Sequence, residues 1–139
     1  MNKKVLMGAI AVFVWIAVWQ MIVNTTLLSQ EYAATAHLWR PMEEMMMGLF
    51  YFVYLCVSFL LAMIFSRGYE GKGIPEGLRF GVYLGLLMSI PMAYGTYGAM
   101  PIPYSLALKW FLFGLIEYIV AGVILGAVFG QQATVTRVS

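Results

Sequence analysis

The sequence holds one cysteine, one histidine and no aspartate, and only 10% of its 139 residues are charged. Each shortage removes a class of chemistry. A lone Cys56 allows no intrachain disulfide, no CxxC redox pair and no thiolate zinc cage; mid-run, it reads as a small apolar residue. Without aspartate there is no Ser-His-Asp triad. With His37 the single imidazole, haem ligation would have to combine it with a methionine. Hydrolytic and metal chemistry needs several reactive groups converging, so neither enzymatic activity nor a metal site is expected. No cofactor is indicated: an aromatic pocket for a quinone or pigment has no signature here. A net charge of +2 with no basic run argues against nucleic acid as a partner.

What remains is apolar. Hydrophobic residues make up 63% of the chain and its mean hydropathy is +0.86, whereas a soluble domain is about half apolar and about a quarter charged. Crossing a hydrocarbon core takes about 20 apolar residues, and four runs qualify: 5–27, 42–66, 76–98 and 103–130. In lipid such runs satisfy their backbone hydrogen bonds only as helices. The sequence therefore predicts an all-α integral membrane four-helix bundle, a single transmembrane domain over 1–139 with the lipid bilayer as its solvent. The MNKK start and Ala34-Thr35-Ala36 also fit a signal peptide with its cleavage site. The apolar stretch 5–23 is longer than a usual signal core, however, and is read as a retained first helix.

Local chemistry marks the ends. Pro41 and Pro103 suit first-turn positions. Arg67-Gly68 closes the second run, and Glu76 after Pro75 opens the third, each charge complementing the helix pole it meets. With the N-terminus inside, Lys3, Lys4, Arg67, Lys72, Arg79 and Arg137 fall on the cytoplasmic side and Arg40 and Lys109 outside. That bias puts both termini in the cytoplasm, as in a multi-pass protein of a bacterial inner membrane. The longest connection, 28–40, is expected outside, with an interfacial helix over about 30–39 anchored by Tyr32 and Trp39. The segment 131–139 reads as a short frayed tail.

Packing has a signature of its own. The third run carries Gly77, Gly81, Gly85, Ser89 and Ala93, a small residue at every fourth position. The fourth carries Gly122, Gly126 and Gly130, with Gly114 on the same row and Tyr118 interrupting it. Such rows let helix backbones approach closely in lipid. Matching depths across the short loop predicts Gly130 beside Gly77, Gly126 beside Gly81 and Gly122 beside Gly85.

Glu117 stands apart. It lies mid-run in GLIEYIVAG, where a charge costs about 2.5–3.5 kcal/mol on insertion scales, so the acid needs a companion. The depth argument offers Ser89, or the Leu87 carbonyl that Pro91 cannot engage. Trp15, Trp19, Gln20 and Tyr54 come from other helices to similar depth. Three readings stay open: a proton or cation site, a hydrogen-bonded lock between helices, or a contact with a partner or bound molecule. Gln20 and Asn24 share a face of the first helix and are expected to bond to neighbours. Lys109 is expected to snorkel outward, too far from Glu117 for an intrahelical pair.

The outer cluster His37, Arg40, Glu43 and Glu44 allows a surface metal site. Its simpler reading is a pair of carboxylates at a helix start with Arg40 as salt partner. Met42, Met45, Met46 and Met47 suit Cu(I) by softness, yet with methionine spread along the chain they read as flexible filler. The leading functional expectation is a helical accessory or assembly subunit that meets a protein partner or copies of itself through its transmembrane helices. The alternative is a small oligomeric proton- or cation-coupled transporter or channel using Glu117. In size and helix count the chain is similar to the small multidrug resistance family. There the essential membrane carboxylate lies in the first helix, whereas here it lies in the fourth, so no residue is carried across.

Overall fold

The structure, a computed structural model, describes residues 3–39 and 41–138, with side chains described throughout except at Met42 and 131–138. It is all-helical, with no strand among the described residues. Helix α1 (Lys3–Ile22) runs on through a π-helical turn, Val23–Leu27. Short α2 (Ser29–Ala34) and 3-10 turns at Ala36–Leu38 and Met42–Glu44 follow. Then come α3 (Met47–Gly68), α4 (Ile74–Ala99) and α5 (Tyr104–Val138). Four stretches, Lys3–Leu27, Met47–Gly68, Ile74–Ala99 and Tyr104–Gly130, are long and apolar enough to cross a membrane.

The long helices run up and down. The end where α1 starts is called the terminal end below, and the opposite one the far end. Near the terminal end α1 lays Gly8, Ala9 and Val12 against α3 and α5, in a core with Leu61, Ala62, Phe65, Ala121, Leu125 and Phe129. Aromatic rings fill the space there: Phe65 lies 5.2 Å from Tyr69, 5.2 Å from Phe80 and 5.3 Å from Phe129 between ring centroids. Lys4 reaches over the Phe129 ring at 6.0 Å, a cation–π contact at the limit of its range. The turn into α4 uses Gly71 and Gly73 at φ +86° and +71°, conformations open to glycine at little cost. Glu76, in the first turn of α4, folds back to accept backbone N–H groups of Glu70 (2.8 Å) and Lys72 (3.1 Å), so its carboxylate ties down the loop that enters the helix.

Helices α4 and α5 form the closest pair. The buried face of α4 is the row Gly77, Gly81, Gly85, Ser89 and Ala93. A Cβ on Gly77 would collide with the Gly122 carbonyl, and one on Gly122 with the Gly77 carbonyl. The register differs from the expected one by about a turn. Gly122 sits against Gly77 and Gly81, Gly126 against Gly73 and Gly77, and Gly130 against Gly73, while Gly85 meets Leu115 and Tyr118. The cause is the connection. The helices end evenly about the tight 100–103 turn, at Ala99 and Tyr104, so residues equidistant from that turn face each other.

Two further boundaries depart from expectation. Helix α3 begins at Met47, not near Pro41: Glu44 N–H bonds the Pro41 carbonyl at 2.9 Å to close a 3-10 turn, and Met46 leaves the helical region at φ −89°, ψ 76°. The segment after Leu27 does not lie apart as one interfacial helix over 30–39. It folds over the far end as a cap, with Tyr32 and Trp39 packed on Trp110 and on a core of Val23, Leu28, Ile102, Leu106 and Ala107.

Candidate functional site

Glu117 is 7% exposed, in the middle of α5. Its companion comes from α1: Gln20 Nε2 donates to Glu117 Oε1 at 2.7 Å. The same helix is stitched to the α5 backbone by two indoles one turn apart. Trp15 Nε1 donates to the Glu117 carbonyl at 2.9 Å, and Trp19 Nε1 to the Phe113 carbonyl at 3.1 Å. The indoles stack on each other, centroids 5.3 Å apart and planes 19° off parallel. Spacing of four on one helix meets spacing of four on the antiparallel partner, so three side chains of α1 hold one stretch of α5.

From Glu117 a polar chain runs to the far end. Gln20 Oε1 accepts from Asn24 Nδ2 at 3.2 Å, Asn24 Oδ1 accepts from the Tyr32 hydroxyl at 3.1 Å, and Tyr32 accepts from Trp110 Nε1 at 3.0 Å. Burial pushes the Tyr32 phenol above its ordinary range. Beside it, Lys109 hydrogen-bonds the Glu31 carboxylate. That ammonium holds the Glu31 carboxyl below the usual range, and the pair ties α2 to the start of α5.

Ser89, the companion expected from depth, does not bond Glu117. It is 4% exposed and faces Gly114, and its Oγ is the one fully buried side-chain polar atom among the described residues without a hydrogen-bond partner. The shifted register explains this: Ser89 meets α5 nearly one turn nearer the loop than Glu117. Leu87 lies on the exposed face of α4, so its carbonyl is no companion either. Ser89 and Glu117 do share a cavity of about 270 Å³ in the far half, walled by all four long helices and by Tyr32.

The other expected cluster lies partly outside the described residues. His37, Glu43 and Glu44 are each exposed, and among the described residues no group of three His, Cys, Asp or Glu side chains could hold a metal ion. Arg40 lies outside the described residues. Glu31 was the residue missed; its signal was present, since 28–40 and the start of the fourth run, with Lys109, meet at one end.

No family model matches the chain, and neither a curated protein nor a solved structure is found similar to it.

Proposed function

We propose that the chain is a multi-pass protein of a bacterial inner membrane, a single transmembrane domain with both termini in the cytoplasm, acting as a helical assembly subunit. Orientation is supported by charge: Lys3, Lys4, Arg67, Lys72 and Arg79 gather at the terminal end, against Lys109 at the other. The observation that carries the assembly role is α3. Every residue over 47–53 is exposed, and the buried positions of this helix begin only at Ser58. In lipid, helices gain by packing on one another, so a helix half without a neighbour is where another chain or a second copy adds contact. The test is native mass spectrometry after extraction in lipid nanodiscs, with cross-linking through Phe52→Cys in a Cys56→Ala background. Particles larger than one chain and a specific cross-link are expected. Single chains at native lipid content, with no cross-link, would refute the assembly role.

A second reading has its own support: the Tyr32–Asn24–Gln20–Glu117 chain gives a cation or water a polar path from the far end to a buried acid. Intramembrane acids commonly mark ion and proton routes. On this reading the protein is a small oligomeric coupled transporter or channel, and Glu117→Gln abolishes proton-driven flux in proteoliposomes while the fold persists. Unchanged flux in that variant refutes it.

A further inference from the structure

The terminal end carries more positive charge than its acids answer. Lys3, Lys4, Arg67, Lys72 and Arg79 lie there with two glutamates. Both acids are engaged: Glu70 pairs with Lys72 at 3.3 Å, and the Glu76 carboxylate holds the backbone N–H groups of the entering loop. Among the described residues, Arg67 and Arg79 have no acidic partner, and both are exposed.

Arg79 is the unusual one of the two. It follows Ile74, the first residue of α4, by about 7.5 Å along the helix axis. With its 26 residues α4 is about 39 Å long, against a hydrocarbon core about 30 Å thick. Centred, the helix leaves about 4.5 Å in each headgroup layer, so the Arg79 backbone lies just below the edge of the hydrocarbon. Its face is the outer one: Tyr83 and Leu87, one and two turns further, are 64% and 65% exposed, while Gly77, Gly81 and Gly85 pack on α5 behind them. A guanidinium so placed reaches back to the phosphate level. Helical side chains lean toward the N-terminus, which for α4 is the nearer surface. The Tyr83 phenol leans the same way, and among the described residues it has no hydrogen-bond partner. A hydroxyl left unpaired in hydrocarbon is costly, and one that reaches the interface finds an acceptor there.

We propose that Arg79 and Tyr83 form a seat for one anionic phospholipid at the terminal end, the guanidinium on its phosphate and the phenol donating to an ester carbonyl of its glycerol linkage. A planar guanidinium matches phosphate oxygens with two parallel N–H bonds. Arg67, in the last turn of α3, adds a second unpaired cation at the same end, which favours a headgroup of net negative charge over a zwitterionic one. Free phosphate shares the headgroup chemistry but has neither the ester for Tyr83 nor acyl chains to lie against Leu87. The seat rests on the membrane-spanning reading and is independent of assembly through α3.

The test offers phosphatidylglycerol or phosphatidylcholine, with the same acyl chains, to the full chain stripped of lipid in a mild detergent, and native mass spectrometry counts the lipid bound. Phosphatidylglycerol is expected to bind at least about fivefold tighter, the factor one cation contributes at an anionic surface. Arg79→Gln removes that preference at an unchanged unfolding midpoint, since the side chain is exposed, and Arg79→Lys keeps part of it. Lys3→Gln, an equal loss of charge at the same end, changes it less than about twofold, as a local seat requires. Tyr83→Phe weakens both lipids alike, because both carry the ester. Equal binding of the two lipids, equal effects of Arg79→Gln and Lys3→Gln, no loss in Tyr83→Phe, or displacement of the lipid by millimolar inorganic phosphate would overturn the proposal. Each of those results leaves the chain a membrane protein. A chain that stays folded and dispersed without lipid or detergent contradicts the spanning reading itself.

Discussion

Glu117 is buried and Gln20 half-buried, and the direct bond between them sets the expected pattern of variants. Gln20→Leu strands the acid, and losing a partner from a buried polar group costs about 1–3 kcal/mol. Glu117→Leu alone strands the amide similarly. The double variant should cost clearly less than the sum of the two, because residues in direct contact couple. Unfolding in a denaturing detergent titration measures all three, and strict additivity would show that the 2.7 Å contact contributes nothing. The Glu31–Lys109 pair gives a pH prediction. Lys109 lowers the folded-state pKa of Glu31, so its contribution is present above the unfolded value of 4.5 and disappears as pH falls through the folded value. Acidification below about pH 5 should therefore lower the unfolding midpoint, and Lys109→Gln should flatten part of that slope. The effect is small, about 1 kcal/mol or less for a pair this accessible. A slope identical in the variant would remove the pair from the account.

Among the elements, the α4–α5 seam makes the sharpest prediction. Alanine is the better helix former by about 1 kcal/mol, yet at Gly77 or Gly122 its methyl would strike the opposing backbone carbonyl. Overpacking of this kind costs about 1–3 kcal/mol or more, so Gly77→Ala and Gly122→Ala should both lower thermal stability in detergent. Gly95, with nothing near its missing Cβ, should accept alanine without loss. If Gly77→Ala and Gly95→Ala melt alike, the helices are not in this register. The same elements show what could be read beforehand. Four long helices were legible because their apolar runs exceed what a short soluble core can bury, and the small face of α4 because its spacing of four is unbroken. The register was not legible, since it depends on where the Pro101–Pro103 turn releases each helix. The partner of Glu117 was legible only as one of several groups at its depth, Trp15, Trp19, Gln20 and Tyr54. Helices apolar on every side carry no stripe to say which neighbour they meet, so the choice of Gln20 among them was not. Ser89 was expected in the layer of Glu117 and lies nearly one turn nearer the loop, with no bond to the acid.

The whole molecule is uneven along its length. Its terminal half is filled by glycine contacts and by Phe65, Tyr69, Phe80 and Phe129. Its far half is looser, with the first turns of α3 standing clear, a cavity beneath them, and Glu117 at the boundary between the two halves. The membrane-spanning reading proposed above requires the two ends to face different compartments. Sided labelling tests that most directly. In a Cys56→Ala background, Lys72→Cys and Gln30→Cys place exposed thiols at opposite ends of the bundle. With a membrane-impermeant maleimide, Gln30→Cys should react in right-side-out vesicles and Lys72→Cys only in inverted ones. Labelling of both from one side would contradict the account.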